Sequence, residues 1–130
     1  YETSGSSGMD LAAFVTAEVN IQPGKKAIIP TGLTLSIPKG YEVQIRPRSG
    51  LGAKKNVSVF NTPGTIDADY RGEIFVTLFC LSSLGSYEIK HGERIAQLVV
   101  SKNQPFIWNE VTSLDNTKRG NDGHGSTGKR

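Results

Sequence analysis

Apolar residues recur at every second position through much of this chain. Leu33, Leu35 and Ile37 alternate with less apolar neighbours, and Tyr41, Val43 and Ile45 alternate with Glu42, Gln44 and Arg46. A period of two marks a strand with one buried face, because successive side chains of an extended backbone point to opposite sides. Short strands are therefore predicted over residues 26–29, 33–37, 41–46, 57–60, 87–89, 94–101 and 106–108, with a further strand-like stretch at residues 9–14. Turn signals separate them: Pro23-Gly24, Pro30-Thr31-Gly32, Pro38-Lys39-Gly40, Asn61-Thr62-Pro63-Gly64 and His91-Gly92-Glu93. Strands joined this closely read as an antiparallel meander. Residues 74–81 break the alternation, being apolar at nearly every position. Both faces of that strand are expected to be covered, one by the domain core and the other by a second subunit.

Fifteen glycines and 6 prolines, placed singly, support many short strands and turns, and 130 residues suit one domain. The expected class is all-β. A formal net charge of +3 is too small to argue for a nucleic-acid groove. Its distribution is more telling. Arg46, Arg48, Lys54 and Lys55 lie together with no acid between them, and Lys118, Arg119, Lys129 and Arg130 gather in the tail. Two such segments can meet one anionic ligand, although a solvated surface is the commoner meaning of a short basic run. The single Cys80 excludes an internal disulfide and fits a reducing compartment. No apolar run approaches the ~20 residues of a membrane span, so a cytoplasmic protein with no membrane or nucleic-acid partner is expected. The start at Tyr1 in place of Met is compatible with a preceding segment.

The densest set of chemical groups is G-T-I-D-A-D-Y-R-G-E, residues 64–73, which hands over directly to the apolar run. In an extended segment Asp67 and Asp69 share one face while Ile66 and Ala68 take the other. A polar turn whose carboxylates cap backbone amides accounts for these residues about as well as a catalytic site does. A second set, R-P-R-S-G-L-G-A-K-K-N over residues 46–56, leaves a strand at Pro47 and is predicted to wind into a single helical turn. The Ser49 hydroxyl and the Ser49 and Gly50 amides, flanked by guanidinium groups, suit phosphate oxygens. A Gly-rich turn with surface lysines is the alternative, and the G-x-x-x-x-G-K-[ST] of a P-loop is absent. Gln97 puts an amide into an otherwise apolar strand, so it is either a satisfied core residue or a ligand contact. Asp10 precedes an apolar stretch, where a carboxylate can tie down a neighbouring loop. Beyond Thr112 the composition is that of a disordered tail. Yet it sets the His124 ring among glycines, with Arg119 before it and Ser126 and Thr127 after it, parts suited to a lid.

Five segments taken together, Gly8-Met9-Asp10-Leu11, Pro47-Arg48-Ser49-Gly50-Leu51, residues 64–73, residues 92–98 and residues 119–128, resemble the deoxyuridine triphosphatase (dUTPase) family, the trimeric dUTP pyrophosphatases. They occur in the family's order and span essentially the whole chain. The resemblance implies a jelly-roll-like β-barrel of short antiparallel strands, with residues 1–117 as the β domain and residues 118–130 as a flexible C-terminal lid. It implies a homotrimer with active sites between subunits and Mg2+-assisted hydrolysis of dUTP to dUMP and pyrophosphate, which limits uracil incorporation into DNA and supplies dUMP for thymidylate synthesis. Asp67 is then the base that activates water; an aspartate in water carries its charge at neutral pH and can accept that proton. Tyr70 lies under the deoxyribose and leaves no room for a 2′-hydroxyl. Asn61, Gly64 and Ile66 border the uracil. Arg48, Ser49, Gly50 and Gln97 bind phosphates, and Arg119, Gly125, Ser126 and Thr127 close on them from another subunit. His124, where many members carry Phe, stacks on the base. Mg2+ is expected on phosphate oxygens and waters with no direct protein ligand, Asp10 reaching it at most through water. Two other readings share the fold: a dCTP deaminase-like enzyme, which needs a further acid/base at the pyrimidine C4, and a non-catalytic trimeric nucleotide-binding or regulatory module.

Overall fold

Nine strands and one helix form in the computed structural model, which describes residues 1–81, 83 and 85–121. They are β1 (Gly8–Ala12), β2 (Val19–Ile21), β3 (Lys26–Pro30), β4 (Tyr41–Arg46), α1 (Ser49–Lys55), β5 (Val57–Val59), β6 (Gly64–Ile66), β7 (Phe75–Cys80), β8 (Tyr87–Ile89) and β9 (Arg94–Lys102). The all-β reading holds. The pairing differs from a meander, and the sheets do not close into a barrel: one sheet runs β1-β9-β4-β6, a second runs β3-β7-β5, and β2 pairs with β8. Strands choose partners by matching apolar faces across the sheet instead of by adjacency in sequence. Val43 stands opposite Val100 and Ile45 opposite Leu98, so β4 is held by β9 from the far end of the chain. Leu11, Ile21, Ile29, Val43, Val57, Leu78, Ile89 and Ile95, drawn from all three sheets, meet in one buried cluster.

Residues 33–37 are not a strand, despite their alternation. They run between Gly32, whose φ of +69° turns the chain, and Pro38, and their ladder is reduced to the Ile74 N–H on the Leu33 carbonyl at 2.8 Å. Ile37 is nonetheless buried, so the pattern reports packing without pairing. The predicted strand at residues 106–108 is also absent. Phe106, Ile107 and Trp108 project outward, Ile107 being 96% exposed, and a strand without a ladder partner is not stable alone. The helix is longer than the single turn expected. Leu51 anchors it in the protein, and Asn56, in the left-handed region at φ 54°, closes it by donating its N–H to the Leu51 carbonyl.

In β7 only one face is covered within the chain. Val76, Leu78 and Cys80 are buried; Phe75, Thr77 and Phe79 point the other way. Across the sheet Thr77 faces Ile28, 65% exposed, and Phe79 faces Lys26 and Ser58. The Phe60 ring packs edge-on against Phe79, and the Lys26 ammonium lies 4.8 Å from the Phe60 ring centre. The outer face of the β3-β7-β5 sheet is therefore largely apolar and open. No helix among the described residues is long and apolar enough to cross a membrane.

Candidate active site

One group of side chains gathers where β4 ends. Pro47 has no N–H for the ladder, so the chain leaves the sheet there, and Arg48 keeps an extended backbone as the residue before α1. Its Nε donates to Asp10 Oδ1 at 2.8 Å and its Nη1 to the Arg94 carbonyl at 3.1 Å. Arg94 Nη1 donates to Asp10 Oδ2, also at 3.1 Å. One carboxylate thus lies between two guanidinium groups, a charge-assisted arrangement stronger than neutral hydrogen bonds. Gln97 stands opposite Asp10 on one side and Arg46 on the other, and its Nε2 donates to the Pro47 carbonyl at 2.9 Å. That answers one of its two N–H groups and leaves a second. A Cβ at Gly8 would overlap the Gln97 amide, so a larger residue there would force that amide to move. Ser49 and Gly50 are exposed at the start of α1.

Nearby, the Tyr87 hydroxyl donates to Glu93, whose other oxygen accepts the Lys90 N–H at 3.2 Å. Burial, then the hydrogen bond to Glu93 and its charge, raise the Tyr87 phenol well above its ordinary value near 10, with Arg48 opposing them. The folded state thus favours the neutral phenol. The stabilisation is fully present below about pH 10 and fades as pH climbs toward the raised value. Urea melts from pH 8 to 11 are expected to show a steeper alkaline loss in the wild type than in Tyr87→Phe; equal slopes would contradict this assignment.

The second group sits on β6 and the turns on either side of it, where the chain passes from the β3-β7-β5 sheet to the β1-β9-β4-β6 sheet. Gly64 is buried against β4, where a Cβ would come within 3.3 Å of Ile45 Cβ. A cavity of about 60 Å³ is lined by Asn61, Gly64, Ile66, Phe75 and Thr77, and an open cleft of about 230 Å³ beside it by Thr65, Ile66, Asp67, Tyr70, Glu73 and Phe75. β6 stops at Ile66, and the Tyr70 N–H donates to the Asp67 carbonyl at 3.1 Å, so residues 67–70 form a turn in place of the extended segment expected. Asp67 and Asp69 still face solvent while Ile66 and Ala68 pack on the core. The Tyr70 ring is fixed at its tip, its hydroxyl donating to the Glu73 carbonyl at 2.9 Å.

Residue-type reasoning missed the supports of this turn. Arg71 Nη1 donates to the Ala68 and Tyr70 carbonyls, and Glu73 Oε1 accepts the Gly32 N–H at 2.9 Å. A Cβ on Gly72 would lie 2.6 Å from Tyr70 Cζ. The run R-G-E directly after Tyr70 was the available signal.

The expected residues therefore fall into two sets, Arg48, Ser49, Gly50, Gln97 and Asp10 in one, Asn61, Gly64, Ile66, Asp67 and Tyr70 in the other. Gly64 pairs with Ile45 and lies between the two, but Asp67 and Arg48 leave β4 at opposite ends: Ile66 pairs with Val43 and leads to Asp67, while Arg46 pairs with Gln97 and leads to Arg48. At the rise of an extended chain that separates Asp67 from Arg48 by about 20 Å along the sheet. Arg119 is exposed near the end of the described chain. His124, Gly125, Ser126 and Thr127 lie outside the described residues. Among the described residues no three His, Cys, Asp or Glu side chains group as a metal site.

Comparison with known proteins agrees with this picture. The dUTPase family model matches residues 1–128. A protein of Ehrlichia canis (strain Jake) named deoxyuridine 5′-triphosphate nucleotidohydrolase is 54% identical over 130 residues, covering 98% of this chain and 84% of that protein. One of the same name from Desulfotalea psychrophila is 52% identical over 128 residues, covering 98% of this chain and 85% of its own. Among solved structures, the dUTPase of Staphylococcus bacteriophage 80alpha with dUpNHpp superposes with a TM-score of 0.87 at 28% identity, over 98% of this chain and 89% of that one. With the family model spanning nearly every residue and relatives at half identity, this chain belongs to the dUTPase family.

Proposed function

We propose that the chain hydrolyses dUTP to dUMP and pyrophosphate in sites assembled between the subunits of a homotrimer. The observation that carries this is the division of the site. Asp67 and the basic cluster suited to phosphates leave β4 at opposite ends, about 20 Å apart by strand rise, with the recess at Gly64 between them, so the base and Arg48 of one protomer do not meet at one phosphate chain. The open apolar face of the β3-β7-β5 sheet supplies a surface by which copies associate. The curated relatives carry the name deoxyuridine 5′-triphosphate nucleotidohydrolase, and the bacteriophage dUTPase holds dUpNHpp, which supports the same substrate here.

In this reading the turn and strand from Asn61 to Ile66 present their backbone to the uracil edge, and the narrow cavity beside them rejects a 5-methyl group. The fixed Tyr70 ring underlies the deoxyribose and sterically excludes a 2′-hydroxyl. Asp67, exposed at the cleft wall, takes the proton of the attacking water as the α–β anhydride opens. From the neighbouring subunit, Arg48, the Ser49 and Gly50 groups and the remaining Gln97 N–H hold the phosphate chain and offset the charge that moves onto the departing pyrophosphate. Residues 118–130, with Arg119, His124, Gly125, Ser126 and Thr127, close over the ligand.

The donor set fits Mg2+ bound by its substrate. Mg2+ keeps waters and phosphate oxygens and needs few carboxylates. Asp10 already accepts from two arginines, which suits contact through water. When bound, the ion supplies charge neutralisation and orientation of the phosphates. Pyrophosphate release from dUTP, dTTP, dCTP and UTP with Mg2+ tests the proposal. Release from dUTP alone is expected. Ammonia from dCTP would indicate the deaminase reaction, and dUTP binding without release a non-catalytic module.

A further inference from the structure

Resting on that reading, we propose that Arg94 is a positioning residue for triphosphate binding: through Asp10 and its own carbonyl it orients Arg48 and keeps the cluster positively charged. An arginine salt-bridged to one aspartate forms a neutral pair, which offers a polyphosphate little attraction. Here Asp10 is shared, by Arg48 Nε at 2.8 Å and Arg94 Nη1 at 3.1 Å, so the three side chains carry a net positive charge. Glu2 approaches Arg94 at 3.6 Å but is largely exposed, where solvent screens it.

The geometry of Arg48 gives the second half of the argument. A guanidinium has five N–H donors in a rigid fork. Arg48 uses Nε toward Asp10 Oδ1, one Nη1 donor toward the Arg94 carbonyl and a long Nη2 contact of 3.5 Å toward Asp10 Oδ2. N–H groups remain on both Nη1 and Nη2, an adjacent pair that matches a phosphate. Arg94 touches both anchors of this orientation. Its side chain competes for Oδ2, which keeps the Nη2 contact long, and its carbonyl holds Nη1. Arg94 itself lies on the exposed side of the cluster, with its side chain 54% accessible.

The test compares Arg94→Met and Arg94→Lys in the full chain. Arg94→Met is expected to raise KM for dUTP, and Kd for dUpNHpp and for pyrophosphate, by about tenfold, the size of one lost charge-assisted contact. The kcat changes by less than about twofold, as for an interaction made equally in the ground and transition states. Deoxyuridine, lacking phosphate, binds as to the wild type. Arg94→Lys restores most of the affinity. In the Asp10→Asn background the Arg94→Met effect shrinks, because both changes act on one network. Unchanged affinity for pyrophosphate, full additivity with Asp10→Asn, or a parallel loss of deoxyuridine binding and thermal stability would each overturn the proposal. A wild type that turns over no nucleotide would instead overturn the function on which it rests.

Discussion

Asp67→Asn is expected to lower kcat for dUTP by about 10²- to 10⁴-fold, the range for removing a positioned proton acceptor. Binding of dUpNHpp should change by no more than a few-fold. The substitution keeps size and shape, and residue 67 serves the turn through its carbonyl on the Tyr70 N–H, which asparagine retains. Asp69 is the internal control. It is exposed in the same turn but does not line the cleft that Asp67, Tyr70 and Glu73 border. Asp69→Asn should therefore turn over at close to the wild-type rate. Single-turnover kinetics with both variants, beside analogue titrations, separates the two acids. Wild-type turnover by Asp67→Asn would refute its assignment as the base.

If the proposed intersubunit site holds, Ile28→Lys is expected to convert the assembly to monomers and to cut activity by about 100-fold or more, since a site divided between subunits does not exist in one of them. Ile28 is 65% exposed in the protomer, opposite Thr77 and on the same face as Lys26. A lysine there leaves the core of a single chain untouched, so the protomer should keep its β structure. In an assembly the same change buries a like charge beside Lys26 in every copy, at a cost no neighbouring acid on that face offsets. Light scattering after size exclusion and pyrophosphate release, run on the same fractions, read both effects. A trimeric mass, or a monomer with full activity, would contradict the account.

What the sequence reveals divides along a physical line. Alternation located β4, which buries Val43 and Ile45 on one face, and runs that are apolar on both faces located β7 and β9. The same alternation failed at residues 33–37, since it reports burial of Leu35 and Ile37 but not whether a ladder partner is present. Residues 106–108 carried strand-like apolarity with no ladder partner among the described residues. That the sheets stay open, where the resemblance implied a barrel, was not legible because closure depends on how sheets meet, which no local pattern encodes. Within the candidate site, Arg48, Asp67, Tyr70 and Gln97 stood out by residue type and spacing. Arg94, Gly8 and Gly72 did not, because their importance arises through space. Arg94 reaches Asp10 across 84 positions, and Gly8 matters only because the Gln97 amide lies over it.

The central claim, a dUTP site built from the β6 turns of one subunit and the arginine cluster of another, is tested most directly by mixing two impaired chains. Asp67→Asn and Arg48→Ala proteins, each nearly inactive alone, are unfolded, combined and refolded together, and pyrophosphate release from dUTP is measured. Random assembly should restore about a quarter of the sites, because some interfaces pair the intact Asp67 of one chain with the intact Arg48 of its neighbour. No recovery, in mixed trimers of confirmed composition and with an active wild-type control, would mean that Asp67 and Arg48 act within the same subunit or not in the same reaction.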